Sequence, residues 1–219
     1  MQEKFDGIFL HNGKVYTKNL VPGRKVYGEE LLKIDGAEYR SWDPTRSKLS
    51  AAIVKGLEKI PITNGSIVLY LGAATGTTSS HISDIVGENG IVYCIEFSER
   101  AMRDLIHVCN ARGNMVPMLS DARMMGYGIE KADVVYCDIA QPDQTNVAIR
   151  NANEYLKSNG VLMLVIKSRS IDVIKSPRDV YAQEAEKLKE AGYKILDTRI
   201  LDPYEKDHAF FVSVPVKRE

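Results

Sequence analysis

The chain has 219 residues, 44% of them hydrophobic and 26% charged, which is the composition of a soluble globular protein. That length holds one substantial α/β unit with a small appendage. With 29 basic and 29 acidic side chains the net charge is zero, which argues against a broadly basic nucleic-acid-coating protein, and no apolar run approaches the ~20 residues that span a bilayer.

Residues 1–43 read as a small β-rich N-terminal domain, and 44–219 as the main domain. Runs 5–10 and 14–19 are strand-like and flank His11-Asn12-Gly13, where Asn-Gly signals a hairpin. Val21-Pro22-Gly23 is a turn, and Asp35-Gly36 precedes a third strand over 37–42. A sheet this small is expected to pack against the main domain. Asp43-Pro44-Thr45-Arg46-Ser47-Lys48 carries helix-start chemistry. Leu49, Ala52, Ile53, Gly56, Leu57 and Ile60 then form one stripe at helical spacing. Lys48 at that start opposes the helix dipole, a small cost for a solvated lysine.

Five apolar residues, Ile67-Val68-Leu69-Tyr70-Leu71, predict a strand buried on both faces. Gly72-Ala73-Ala74-Thr75-Gly76-Thr77-Thr78 follows with no large side chain, and Ile82, Ile85 and Val86 continue at helical spacing to a stop at Gly87. Strand, small-residue turn and helix suit a nucleotide, because the backbone can approach a ligand and the helix start offers free N–H groups. The turn lacks the three glycines of G-x-G-x-x-G, so an ordinary βα turn is an equal reading.

A second buried strand over 91–96 ends on Glu96, 20 residues beyond Gly76, where an acid can bind ribose hydroxyls. Ser98 caps a helix with Met102, Leu105, Ile106, Val108 and Cys109 inward and Gly113 as its stop. A strand over 115–119 leads to Ser120-Asp121-Ala122, which suits either a plain turn or contact with a base edge. A strand over 132–138 ends on Asp138, and Ile139-Ala140-Gln141-Pro142 leads into a helix over 143–157. The strand over 161–166 is followed by Lys167. Ser176-Pro177-Arg178-Asp179 is a capping box for a helix that stops at Gly192. Strands 193–201 and 208–216 are joined too tightly for a crossover, so they are antiparallel. Cys94, Cys109 and Cys137 sit in apolar runs without metal-ligand spacing, and Met1-Gln2-Glu3-Lys4-Phe5-Asp6 does not resemble a secretory signal; a cytoplasmic, reducing location is expected.

This alternation predicts an α/β fold: a doubly wound, mostly parallel sheet with an antiparallel C-terminal hairpin, plus the β-rich N-terminal domain. Gly72, Glu96, Asp121, Asp138 and Lys167 all fall at strand carboxyl ends and converge on one rim, where such sheets bind ligands.

The final hairpin and several stretches together resemble the class I S-adenosylmethionine-dependent methyltransferases. More narrowly, they resemble the archaeal fibrillarin family of RNA ribose 2′-O-methyltransferases. The stretches are Arg40-Ser41-Trp42-Asp43-Pro44-Thr45-Arg46-Ser47-Lys48-Leu49, Gly72-Ala73-Ala74-Thr75-Gly76-Thr77, residues 90–104, Asp138-Ile139-Ala140-Gln141-Pro142, and Asp202-Pro203-Tyr204-Glu205-Lys206-Asp207-His208. Cys94 in place of Ala and Asp202 in place of Glu are the departures. The resemblance implies that Gly72, Ala73, Ala74, Gly76, Thr77 and Thr78 lie against the methionine end of S-adenosyl-L-methionine. It implies that Glu96 holds the ribose hydroxyls, Phe97 packs on adenine, Asp121 and Ala122 meet the adenine edge, and Asp138 and Gln141 border the sulfonium. No metal is implied.

The family's catalytic group maps to Lys48, Asp138, Lys167 and His208. In that picture Lys167 accepts the proton of the ribose hydroxyl, with Lys48 as the neighbouring cation that eases its deprotonation. Asp138 orients Lys167, and Lys48 or His208 steadies the hydroxyl or a phosphate. The implied partners are a Nop5 (Nop56/58-like) scaffold, L7Ae, a box C/D guide RNA and target rRNA or tRNA, with base pairing choosing the nucleotide; no membrane is involved. Arg40, Arg46, Lys48, Lys167, Arg169, Lys175 and Arg178 are expected to form a local basic patch, so the isolated chain should bind RNA weakly. Three other readings are a nicotinamide oxidoreductase, a non-catalytic assembly subunit on the same fold, and a protein methyltransferase.

Overall fold

The computed structural model describes residues 1–216. Strands β1 (Gln2–Phe5), β2 (Ile8–His11), β3 (Lys14–Lys18), β4 (Leu31–Ile34) and β5 (Ala37–Ser41) form an antiparallel sheet in the order β1-β2-β3-β5-β4. The Asn12-Gly13 turn joins β2 to β3, with His11 opposite Lys14. The run expected over 5–10 is broken in two. Asp6-Gly7 is itself a hairpin pair, and Gly7 at φ +69° turns β1 back on β2. β4 has no counterpart among the expected strands, because its four residues show no alternation; Asp35-Gly36 is the turn that pairs it with β5, Ile34 opposite Ala37.

Helix α1 (Lys48–Val54) starts at Lys48, as expected, and ends sooner than its apolar stripe suggests. Ser47 is the N-cap, its hydroxyl accepting from the Ser50 N–H at 3.5 Å. Gly56 at φ +89° ends the helical path, so Leu57 and Ile60 reach the core from the chain beyond it.

The main sheet is built from β6 (Ile67–Leu71), α2 (Thr77–Val86), β7 (Ile91–Glu96), α3 (Glu99–Asn110), β8 (Met115–Leu119), β9 (Ala132–Cys137), α4 (Gln144–Tyr155), β10 (Leu156–Lys167), the short α5 (Ser168–Ile171), α6 (Pro177–Glu190), β11 (Tyr193–Ile200) and β12 (His208–Pro215). Strand order is β11-β12-β10-β9-β6-β7-β8. β12 runs antiparallel between β10 and β11, and the other neighbours are parallel. β10 begins before the expected 161 because Leu156 already pairs with Ala132 ahead of an irregularity. The order reverses between β6 and β9, which makes their carboxyl ends the switch point.

Both faces of the sheet are covered, as alternation along each strand requires. Val68, Tyr70, Val92 and Phe210 pack with α1, α2 and α3 residues such as Leu49, Ile82 and Leu105. Leu69, Leu71, Ile95 and Phe211 pack with α4 and α6 through Val147, Ala148, Val180 and Leu188. On α3 the buried stripe is Met102, Leu105 and Cys109; Ile106, expected inward, lies on the exposed flank, and Val108 is partly buried. All three cysteines are buried and free. Among the described residues no helix is long and apolar enough to cross a membrane.

The N-terminal sheet shares the first core through Ile8, Val15 and Trp42. A charged cluster seals the join. Arg40, expected in a surface patch, has no exposed surface. Its Nε lies 2.6 Å from Glu29, its Nη1 2.8 Å from Asp84, and its Nη2 donates to the Ser80 hydroxyl at 3.0 Å. Arg112 binds the other Asp84 oxygen. β5 is pleated, so the residue type alone cannot say which face it takes; here the face of Arg40 lies against α2, and only paired charge is tolerated there. Beside it His81 stacks on Trp42, with ring centroids 4.7 Å apart. The Thr17 hydroxyl donates to Asp84, so at 2.7 Å from Nδ1 it accepts, and that ring nitrogen carries the proton. Burial, then the charges of Arg40 and Arg112, push the His81 pKa well below its ordinary 6.5, and the ring is neutral.

Candidate active site

The rim is set by one close approach. Gly72 follows β6 at φ +84°, and a Cβ there would lie 2.8 Å from the Asp138 carbonyl oxygen. Only glycine lets the turn pass so near the end of β9. The Gly72 and Ala73 N–H groups both donate to the Ile95 carbonyl, at 2.9 and 3.1 Å. Ala74 is held at φ +49° by a bond from its N–H to Glu96 Oε2 at 2.8 Å, while Oε1 accepts from the Ser98 N–H at 2.8 Å. Glu96 is only 6% exposed and each of its oxygens keeps a further lone-pair site. Phe97, the next residue, is 67% exposed, an aromatic face left bare beside a buried acid.

Gly76 opens α2 at φ +95° without a side-chain cap, so the first helical N–H groups, beginning with Thr77, are free of capping. The Thr78 hydroxyl donates to Ser47 at 2.9 Å, tying the start of α1 to α2. At the end of β8, Asp121 is paired with Arg123, whose Nε is 3.0 Å from each oxygen; the guanidinium and then the Arg123 N–H hold its carboxyl below the ordinary range. Ala122 is buried and its carbonyl accepts from Asn151 at 2.8 Å. Gln141 is half-buried, and its carbonyl accepts from Gln144 Nε2 at 3.0 Å.

The second half of the rim is a charge cluster. Lys167 Nζ lies 2.8 Å from Asp138 Oδ1, and Lys48 Nζ lies 3.3 Å from Oδ2. Lys167 Nζ also donates to the Asp138 carbonyl at 2.8 Å; this is its well-aligned hydrogen bond, whereas the contact to Oδ1 is an off-axis ion pair. These three side chains are between 11% and 18% exposed. Lys48 Nζ is also 3.9 Å from Glu205, on the segment before β12. His208 lies directly opposite Lys167 across β12 and β10, hence on the same face. Its Nδ1 is 2.6 Å from the Lys206 carbonyl, which can only accept, so Nδ1 carries a proton and Nε2 is the ring nitrogen left for a ligand.

Lys48, Asp138, Lys167 and His208 therefore stand together, although they come from four separate segments. Sequence reading missed Gln144. It is fully buried, takes the Lys167 N–H on Oε1 at 3.0 Å and so fixes the backbone beneath that lysine. A glutamine opening a helix gives no sequence signal of this; its partner lies 23 residues on. The arrangement offers a carboxylate bridging two lysine amino groups, with one imidazole, beside a turn shaped for a ligand. It suits proton removal from a hydroxyl and binding of a phosphate.

The fibrillarin family profile matches residues 1–217. A fibrillarin-like rRNA/tRNA 2′-O-methyltransferase from Sulfolobus acidocaldarius is 55% identical over 217 residues, covering 95% of this chain and 94% of the relative. The structure of a Methanococcus jannaschii fibrillarin pre-rRNA processing protein superposes with a TM-score of 0.94 at 45% identity, over 99% of this chain and 97% of that one. Aeropyrum pernix fibrillarin, solved with natively bound S-adenosyl-L-methionine, gives 0.85 at 46% identity over 92% and 89%. The chain matched in a fibrillarin/Nop5p complex gives 0.86 at 36% identity over 98% and 100%. With matches that run nearly end to end in sequence and in fold, the chain belongs to the fibrillarin family.

Proposed function

We propose that this chain transfers a methyl group from S-adenosyl-L-methionine to the ribose 2′-hydroxyl of rRNA and tRNA, inside a box C/D ribonucleoprotein. The observation that carries the reading is Asp138 joined to both Lys48 and Lys167 at the switch point, next to the Gly72 turn. The residues present fit the cofactor. The turn from Gly72 to Thr77 has no large side chain, Glu96 keeps acceptor sites for ribose hydroxyls, Phe97 is bare for a base, and Asp138 stands at the end of β9 against the Gly72 turn. Asp121 with Ala122 would meet the base edge, and Gln141 would border the methionine end. When bound, the cofactor supplies an electrophilic methyl on a positive sulfur.

The protein's part is to place the ribose and manage one proton. In its neutral amine form, Lys167 would accept the proton of the 2′-hydroxyl on the Nζ lone pair as that oxygen attacks, and so become the ammonium that Asp138 pairs with. Asp138 and Gln144 hold Lys167 in place, while Lys48 and His208 Nε2 steady the hydroxyl or a phosphate next to it. Holding hydroxyl and methyl in line accounts for much of such a rate. The solved relative in complex with Nop5p supports a Nop5 scaffold as partner. L7Ae and a guide RNA complete the assembly, and base pairing selects the nucleotide.

The test is single-turnover methylation by the chain assembled with Nop5, L7Ae and guide RNA. Lys167→Ala should slow the step by roughly 10²- to 10⁴-fold while leaving cofactor binding intact. Unchanged turnover would remove Lys167 as proton acceptor.

A further inference from the structure

Lys48 has a second carboxylate partner. Its Nζ lies 3.3 Å from Asp138 Oδ2 and 3.9 Å from Glu205 Oε1, so one ammonium stands between two acids. The Lys48 and Glu205 side chains are 18% and 22% exposed, which limits how far water can replace either partner. Lys48 is also the first residue of α1, which has no acid in its first turn, so the positive end of the helix repels it. Asp138 cannot offset this alone, because its other oxygen lies 2.8 Å from Lys167.

Glu205 does not reach Lys48 from a loose loop. The Tyr204 and Glu205 N–H groups both donate to the Leu201 carbonyl, at 3.0 and 3.2 Å, and the Leu201 N–H donates to the His208 carbonyl at 3.0 Å. Leu201 is fully buried, and Tyr204 packs on the first core. The Asp207 carbonyl accepts from the Ser168 N–H at 3.2 Å and from its hydroxyl at 2.9 Å, and the Asp207 carboxylate pairs with Arg169 at 3.1 Å. Ser168 directly follows Lys167. Segment 201–208 is therefore closed on itself and bonded to the chain that leaves Lys167. It presents Glu205 to Lys48 and sets His208 on the face of Lys167.

We infer that Glu205 is a positioning residue of the methyl-transfer site and acts through Lys48. It holds the Lys48 ammonium midway between two acids, which leaves Asp138 to Lys167. Without that hold Lys48 closes on Asp138 and draws the carboxylate off Lys167. The inference rests on reading the rim as a methylating centre, and its test separates the two.

Glu205→Gln keeps the side chain's shape and removes its charge. In single-turnover methylation by the assembled complex it should slow transfer roughly fivefold, with affinity for S-adenosyl-L-methionine within about twofold of the parent. The same substitution made in Lys48→Met should change the rate by less than about twofold, because the group it acts through is gone. Glu30→Gln breaks the exposed Lys14–Glu30 pair away from the site and should leave the rate unchanged. Urea unfolding gives a reading free of methyl transfer. Glu205→Gln should lower the midpoint of the parent, and should raise that of Lys48→Met or leave it unchanged, since Glu205 has lost its cation there.

Equal loss of rate from Glu205→Gln in both backgrounds would overturn the inference, as would an equal fall of both midpoints. So would a midpoint that depends on Lys48 with an unchanged rate, which would make the pair purely structural. An active parent matched by Glu205→Gln refutes this inference alone. An inactive parent refutes the reading of the rim, and this inference with it.

Discussion

Gly72→Ala probes the contact on which the site's geometry depends. The substitution introduces two penalties that can be separated. At φ +84° any L side chain is strained, by about 1–2 kcal/mol. The new Cβ would also sit 2.8 Å from the Asp138 carbonyl oxygen and 3.1 Å from Ile139 Cγ2. Ordinary contact lies at 3.4 Å or more, so the end of β9 must retreat by roughly 0.6 Å to relieve the carbonyl contact. That same carbonyl receives the hydrogen bond from Lys167 Nζ, so the retreat misplaces Lys167 together with Asp138. A displacement of 1 Å at a reacting group costs on the order of 10²-fold, which puts this one near tenfold in single-turnover rate. Gly36→Ala is the matched control, because Gly36 stands at φ +79° with nothing within 4 Å of the added carbon. Both variants should lose about 1–2 kcal/mol to the backbone conformation, or roughly 2–4 °C in melting temperature, and Gly72→Ala should lose more because of the added contact. Only Gly72→Ala should lose methylation beyond that. Equal activity of the two, measured where both are fully folded, would show that the approach of the turn to Asp138 does not govern the site.

The buried cluster between the sheets gives two further tests. Arg40→Met leaves Glu29 without its guanidinium and Asp84 with Arg112 alone, which should cost about 3–5 kcal/mol, or roughly 6–11 °C in the thermal midpoint. Burial alone would raise the Glu29 pKa, but Arg40 and the Tyr27 and Val26 N–H groups outweigh it and hold it below 4.5, so this part of the stability exists above pH 4.5 and is lost as pH falls through the lower folded value. The gap between parent and variant should therefore narrow in acid, and a gap independent of pH would discount the pair. His81 carries the opposite charge type: its folded pKa lies well below 6.5, so below pH 6.5 the unfolded chain takes up a proton that the folded chain refuses. The unfolding free energy should fall toward about 1.4 kcal/mol per pH unit more steeply in the parent than in His81→Gln between roughly pH 6 and 5. Denaturant titrations giving equal slopes for the two proteins would mean that His81 is protonated in the fold.

Arg40 and Arg46 show where sequence reading reaches and where it stops. Strand ends are legible because a buried parallel strand is a continuous apolar run, so the first polar residue after it marks the rim. Glu96, Asp138 and Lys167 are located that way, and the structure puts them there. Who faces whom across the rim is a matter of strand order and register. His208 reaches Lys167 only because β12 inserts antiparallel beside β10, and a one-residue slip would turn it to the other face. Buried polar residues are harder still. Arg40 draws its partners from residues 11 and 44 positions away, and neither spacing is a local period, so it looks like any surface arginine. Arg46 follows six residues later with the same charge and no carboxylate to meet it. One arginine joins two sheets and the other stands over the Tyr27 ring without an ion pair among the described residues, and what buries the first is the pleat of β5 and the helix α2 beneath it. Charge read from sequence therefore bounds what this protein can bind, while the fold decides which of its cations are free to bind it.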